Sequence, residues 1–344
     1  MAGSDLHNAL SVGAAEDDTT ANAVYFEYSR AADPIASGAI SSIPTARFGA
    51  ETYADGPTRL VPLDLSPHLG VPGPATSPAL CANFLRIRAG DDLETAVNAS
   101  SQMFYVIAGR GQTTLEGRQI PWSAGDFLTL PCGPAATHTA EEDAALYFVH
   151  DEPLFRYLGA TASEPRFAPT RYPHDEVRRC LDAVAADPDA ADRSRVSVLL
   201  ANRSFEQTLT ITHVQWAMYG ILPAGGLQPP HRHQSVALDF VVSCQPGCYT
   251  LLGDLAADHE TLVNLERVDW EPGAAFVTPP GRWHSHHNES GADALILPIQ
   301  DAGLQTYLRS LDIRFMTREQ AARALVSALE VARTGSPGPT AATP

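Results

Sequence analysis

A strand-and-turn pattern that occurs twice constrains this chain more than any other feature. Gly125-Asp-Phe-Leu-Thr-Leu-Pro131-Cys-Gly133 and Gly273-Ala-Ala-Phe-Val-Thr-Pro279-Pro-Gly281 share their glycine and proline positions around a short apolar run. Each copy stands in a series of similar runs. The first series is Met103 to Gly111, Gln112 to Ile120, Gly125 to Pro131 and Ala144 to His150; the second is Thr208 to Gly220, Val236 to Ser243, Tyr249 to Gly253, Ala274 to Thr278 and Ala294 to Ile299. Short runs of β-branched and aromatic residues, broken by Gly and Pro roughly every ten residues, build sandwiches or barrels. A repeat of about 100 residues with one turn chemistry indicates two copies of one fold. The expected class is all-β, with two barrels in tandem.

The rest of the chain frames these blocks. Residues 1–22 are small, polar and acidic, and 335–344 are rich in Gly, Pro, Ser and Thr, so both ends are expected to be disordered. A first barrel is expected over 23–165 and a second over 201–315. The linker 166–200 carries a short helix from Pro173 to Ala186, with Val177, Leu181 and Val184 at helical spacing and Pro188 beyond its end. A second amphipathic helix is expected over 316–334, with Ala321, Leu325, Leu329 and Val331 on one face.

The net charge of -17, with no cluster of Lys and Arg, argues against nucleic acid or anionic lipid as a partner. No apolar run reaches the roughly 18 residues of a membrane span, and the start lacks the basic and apolar regions of a secretion signal, so a cytoplasmic protein is expected. Five cysteines at irregular spacing, Cys81, Cys132, Cys180, Cys244 and Cys248, read as free thiols.

The second block differs from the first in its histidines. His231 and His233 are two apart, so on a strand they share a face, and His284 follows the second copy of the turn. Three imidazoles suit iron, copper, nickel or zinc, and on one side of an octahedral ion they leave positions for other ligands. The first block has Thr95-Ala-Val-Asn98 where the second has its histidine pair, which leaves His138 as its only evident imidazole. The first barrel is therefore expected to hold no metal.

These residues resemble the cupin superfamily, whose second motif, Gly-x5-Pro-x-Gly-x2-His-x3-Asn, is matched from Gly273 to Asn288. Its first motif is matched by Gly225, His231 and His233, with Ala237 and Leu238 where a glutamate usually stands. Two barrels with three histidines and no glutamate are similar to the gentisate 1,2-dioxygenase group, which includes salicylate and 1-hydroxy-2-naphthoate dioxygenases. The similar stretches are His231-Arg-His with Ala237, Leu238 and Phe240; Trp283-His-Ser-His286 with Asn288; and Asp151-x-Pro153 with Leu158-Gly159. The order of the two barrels is the reverse of the family's. The resemblance implies two jelly-roll cupin barrels joined by a helical linker, a homodimer or homotetramer, and Fe(II) at His231, His233 and His284, with Mn, Ni, Cu and Zn as other candidates.

It also implies a dioxygenase that uses dioxygen to cleave the ring of a small anionic, metal-chelating hydroxylated acid. Asp239 stands where the family carries an arginine, which leaves open a cupin oxidase, isomerase or lyase acting on a non-aromatic substrate. A non-catalytic bicupin that binds a small molecule or metal is the remaining alternative. His286, Asp239 and Arg282 are the candidates for catalysis, the first two as proton carriers and Arg282 as a cation for the substrate. Gln228, Gln234, Arg282, Trp283 and Asp301 are candidate pocket residues. Arg232 alternates away from the metal face, Asn288 is expected to fix its turn, and His287 is expected at the surface.

Overall fold

The duplicated runs fold as the strands Phe127–Pro131 and Ala275–Thr278. Shortly before each stands a glycine with positive φ, 89° at Gly125 and 80° at Gly273, a backbone state that glycine adopts without strain. The structure, a computed structural model, describes residues 9–12, 19–190, 193–258, 261–317 and 319–325.

Two barrels follow from the pairing, which is antiparallel throughout. The first sets a six-stranded sheet, ordered Thr170–Tyr172, Phe127–Pro131, Ser101–Ala108, Ala144–His150, Cys81–Ile87 and Arg59–Pro62, over a four-stranded one, Asp92–Thr95, Ala136–Ala140, Arg110–Leu115 and Arg118–Ser123. The second sets Val196–Leu200, Trp216–Leu222, Ala294–Gln300, Ala237–Ser243, Ala275–Thr278 and Arg47–Phe48 over a five-stranded sheet. That sheet is ordered Leu262–Asp269, Cys248–Leu255, Trp283–Asn288, Leu227–His233 and Ile313–Phe315.

The segments outside the barrels are more engaged than the sequence suggests. Arg47–Phe48, from the expected span of the first barrel, closes the edge of the second barrel's sheet against Ala275 and Phe276. The linker holds its expected helix, His174–Ala185, with Val177 and Leu181 buried. It also contributes Thr170–Tyr172 to the first barrel and Val196–Leu200 to the second. Within the N-terminal segment expected to be disordered, Ala9–Val12 instead pairs antiparallel with Val24–Phe26; residues 1–8 and 13–18 lie outside the described residues. Residues 319–325 are helical, with Ala321 and Leu325 buried and Leu325 packed near Tyr249 and Leu251. Leu329, Val331 and the tail 335–344 lie outside the described residues. No described helix is long and apolar enough to cross a membrane, and all five cysteines are free.

The two six-stranded sheets pack through their outer faces. Phe84, Tyr105, Phe127 and Tyr147 of the first meet Tyr219, Leu238 and Phe240 of the second in one continuous apolar cluster. Tyr147 stacks on Phe240 at 5.1 Å, and Phe127 meets Tyr219 edge-on at 6.0 Å. Because side chains alternate, the residues between them turn inward: Phe104, Leu146 and Phe148 fill the first lumen, and Asp239 and Val241 face the second. Phe240→Ala should therefore destabilise both barrels together, by roughly 3–5 kcal/mol. Urea unfolding followed by fluorescence should show one transition at a lower midpoint; two separate transitions would show that the barrels are not coupled through this cluster.

Candidate metal centre

His231 stands directly opposite His284 in the pairing of Leu227–His233 with Trp283–Asn288. His233, two residues on, shares the face, and one nitrogen from each of the three rings lies within 4.8 Å of the others. The backbone decides which nitrogen. Nδ1 of His231 lies 3.0 Å from the Pro229 carbonyl, Nδ1 of His233 lies 2.8 Å from that of Ser235, and Nδ1 of His284 lies 3.0 Å from that of Arg282. A carbonyl only accepts, so all three Nδ1 atoms carry the proton and donate it, leaving each Nε2 unprotonated; that of His231 accepts a long hydrogen bond from the Gln228 amide at 3.5 Å. Pro229 and Pro230 fall where the register shifts between Gln228 and His231, a place in a strand that tolerates residues without N–H. Burial holds His231 and His284 well below their ordinary pKa and lowers His233 to about 4, so all three are neutral at physiological pH. A closed set of neutral nitrogen donors fits a transition metal and does not fit a hard oxygen-seeking ion.

The sequence-predicted neighbours divide sharply. His286 lies in the lumen with its ring 5.6 Å from that of His284, and it is not one of the three converging ligands. Its Nδ1 lies 2.8 Å from the Thr250 hydroxyl, which also accepts the Trp270 indole N–H at 2.8 Å. In the tautomer in which Thr250 donates its own proton to Nδ1, the His286 proton sits on Nε2, facing the lumen. Gln228 also faces it, with its amide nitrogen 3.5 Å from His231 Nε2. Asp239 is buried, accepts the Thr278 hydroxyl at 2.7 Å, and is raised to about 6 by that burial.

Five expectations change. Arg282 is turned away from the histidines and held by Glu266 at 2.7 Å, by Asp254, and by the Asn264 carbonyl at 2.8 Å. Two carboxylates already neutralise it, so it is not the free cation expected for an anionic substrate or for catalysis. Trp283 lies on the outer face under Arg232, whose guanidinium is 5.8 Å from the ring centre. Gln234 is exposed at the strand end, because the chain leaves the barrel after His233. His287 is buried, not exposed, stacked on Tyr249 at 4.5 Å and bonded to Ser285. Asp301, named above as a candidate pocket residue, lines none of the described cavities and accepts the Val236 N–H at 2.9 Å at the start of the helix Ala302–Leu308. Asn288 fixes its turn as expected, through the Leu222 and Ala292 carbonyls.

The cation missing from the sequence reading is Arg195. It is partly buried, donates from Nε and Nη2 to the Gln228 side-chain oxygen at 3.1 and 2.9 Å, and its charge further lowers the pKa of His231, His233, His284 and His286. With Ser197, Gly220, Gln228, Trp270 and His286 it lines a cavity of about 520 Å³. A side chain at residue 220 would meet Ser197 Oγ at 2.4 Å, so glycine keeps this space open. The alternating Val196, Val198 and Leu200 were the signal of a strand here; the polar stretch before them masked it.

The first barrel shows what the lumen becomes without these features. Its turn positions superimpose Ala136 on His284 and His138 on His286, and pairing puts Thr95 opposite Ala136 where His231 stands opposite His284. The Thr113, Trp122 and His138 network repeats that of Thr250, Trp270 and His286. Phe104, paired with Leu128 and Phe148, takes the place of Asp239, paired with Phe276 and Pro298. Phe104 stacks on Phe148 at 4.2 Å and touches His138 at 4.9 Å, which fills the space.

Burial also sets a pH dependence. His138, His213, His233 and His287 are lowered to about 4 and His150 to about 3, so between there and about 6.5 the unfolded chain takes up protons that the folded one refuses. Their stabilisation is complete above about pH 6.5 and is lost as pH falls towards 4. Asp151, Asp239 and Asp301, raised to about 6, act in the opposite sense over the lower part of that window, but they are fewer. The urea midpoint of metal-free protein should fall steadily from pH 7 to pH 4; a constant midpoint would contradict this balance.

No protein-family model matches the chain. Among curated proteins it is 26% identical over 166 residues to a 1-hydroxy-2-naphthoate 1,2-dioxygenase of a Nocardioides species, covering 48% of this chain and 40% of that protein. It is 27% identical over 175 residues to gentisate 1,2 dioxygenase 1 of Aquipseudomonas alcaligenes, covering 48% and 47%. A 5-aminosalicylate 1,2-dioxygenase of a Comamonas species is 27% identical over 165 residues, covering 46% and 41%. The match thus spans less than half the length of these relatives. The crystal structure of a salicylate 1,2-dioxygenase from Pseudaminobacter salicylatoxidans superimposes with a TM-score of 0.64 at 16% identity, over 80% of this chain and 88% of that one. A variant of that enzyme solved with gentisate gives 0.64 at 14%, over 81% and 87%. The chain has two β-barrels with the fold of a salicylate 1,2-dioxygenase, and the curated proteins it resembles in sequence are named as 1,2-dioxygenases.

Proposed function

We propose that this protein is a non-haem Fe(II)-dependent dioxygenase that cleaves the ring of a small hydroxylated aromatic acid. The observation that carries this reading is the convergence of three histidine nitrogens near the partly buried Arg195 guanidinium, which lines an open cavity with Gln228 and His286. Iron bound by His231, His233 and His284 would supply the chelation and redox chemistry of the reaction. Arg195 and Gln228 hold the carboxylate of the substrate next to the histidines; a guanidinium with a fixed fork geometry suits that task. His286 presents an N–H to the oxygens of the bound acid, and the packed walls of the barrel limit bulk water. The relatives named for 1-hydroxy-2-naphthoate, gentisate and 5-aminosalicylate point to the same substrate class.

Anaerobic loading with Fe(II), followed by oxygen-electrode assays on salicylate, gentisate and 1-hydroxy-2-naphthoate, tests the reading. Oxygen uptake with at least one of these is expected. Arg195→Met should lower kcat/KM about tenfold or more, in line with a lost charged hydrogen bond of about 1.5–3 kcal/mol. Stoichiometric iron with no oxygen uptake on any of the three would overturn it.

A further inference from the structure

A second cavity, of about 790 Å³, is larger than the one beside Arg195 and shares no lining residue with it. Both barrels build it. The first contributes Ser100 and the helix Glu152–Leu158, through Leu154 and Phe155. The second contributes the short turn Arg203–Phe205, His213 and the helix Ala302–Leu308, through Leu304 and Tyr307. The two helices follow the equivalent strands Ala144–His150 and Ala294–Gln300, so the repeat brings two copies of one helix to the same space.

Under these apolar walls the floor is polar. Asp151 is buried and accepts the Ser100 and Ser101 N–H groups at 2.9 and 3.0 Å and the Ser100 hydroxyl at 2.5 Å. Ser100 Oγ also lies 2.8 Å from His213 Nε2. Burial raises Asp151 only to about 6, so near neutral pH it is a carboxylate with no proton to give. The Ser100 proton then goes to Asp151, His213 donates from Nε2 to Ser100, and His213 Nδ1 remains an acceptor. That nitrogen is buried and has no hydrogen-bond partner among the described residues. A buried acceptor left unpaired is unfavourable, and a ligand that supplies the donor relieves this.

The mouth carries charge. Arg166 and Arg203 are exposed there and form no ion pair among the described residues, and neither do Glu164 and Glu206, which also line the cavity. Arg166 is the charge whose field reaches the floor, where it adds to the effect of burial in keeping His213 neutral. In a chain of net charge -17, two guanidiniums without carboxylate partners leave their donor forks open to an anion.

We propose that this cavity is a second binding site, for an aryl carboxylic acid. The carboxylate meets Arg166 and Arg203, the ring lies among Leu154, Phe155, Phe205 and Tyr307, and a ring N–H at the inner end donates to His213 Nδ1. The site depends on neither the metal nor the dioxygenase reading. Because its walls come from both barrels, a bound acid stabilises the two together.

Calorimetric titration of metal-free protein with indole-3-acetate, naphthalene-1-acetate and tryptamine tests the proposal with chelation at the histidines removed. Indole-3-acetate should bind once per chain. Naphthalene-1-acetate, which keeps the carboxylate and the bulk but lacks the N–H, should bind about fivefold more weakly, and tryptamine, a cation, about tenfold or more weakly. Arg166→Glu combined with Arg203→Glu should weaken indole-3-acetate about tenfold or more, and His213→Phe should remove the difference between the two acids. Arg195→Met, in the other cavity, should leave all three affinities within about twofold. If the variants at this cavity fail to fold, the ranking on the unaltered protein and on Arg195→Met decides. No binding, whether solvent or a second copy of the chain fills the space, would overturn the site. So would binding that is lost in Arg195→Met, or tryptamine binding as tightly as the acids. Equal affinity for the two acids would overturn the role of His213.

Discussion

Each six-stranded sheet of this protein is buried on both faces, and the chemistry depends on that constraint. One face packs on the other barrel through Tyr147, Phe240 and their neighbours, and the opposite face encloses a lumen. Period-2 alternation then commits every residue of these strands either to the junction or to the interior. The junction is equally apolar from both sides. The interiors are not: the first is packed with Leu85, Phe104, Leu146 and Phe148, while the second has Gly220, the buried Asp239 and the partly buried Arg195 beside Gln228. One copy of the repeat stabilises the pair by packing, and the other keeps space for a ligand.

Within that space the backbone prepares the histidines. Three carbonyls take three Nδ1 protons, and all three rings turn the same nitrogen towards one point. Burial keeps the rings uncharged, so a metal ion at the proposed site would meet lone pairs without competition from protons near neutral pH. The hydrogen-bonded group of His286, Thr250 and Trp270 has a different history in the fold, because His138, Thr113 and Trp122 reproduce it in a barrel with Thr95 and Ala136 at two ligand positions. Its geometry is a property of the barrel that the second copy places beside its three histidines.

What the sequence made legible follows from how local each signal is. The strand runs and the ligand trio were readable because alternation and turn chemistry act over a few residues, and Ala144–His150, Ala237–Ser243 and Ala294–Gln300 fall within a residue or so of expectation. Domain edges were less readable, since Arg47–Phe48 and Thr170–Tyr172 are short strands whose only reason to be strands is a distant partner edge. Arg282 looked like a substrate cation because it adjoins His284 in sequence; Glu266 and Asp254, brought in by neighbouring strands, determine its fate instead. Arg195 was hidden for the complementary reason. It is far from the histidines along the chain and reaches them only through the sheet.

X-ray absorption at the iron edge of Fe(II)-loaded protein tests the central claim most directly. The account predicts one iron per chain with three imidazole nitrogens, completed by exchangeable oxygen ligands that salicylate displaces, and no protein carboxylate. Loss of bound iron in His284→Ala, with full retention in His138→Ala and His286→Ala, belongs to the same prediction. A fourth imidazole from His286, a protein carboxylate ligand, or iron retained without His284 would contradict it.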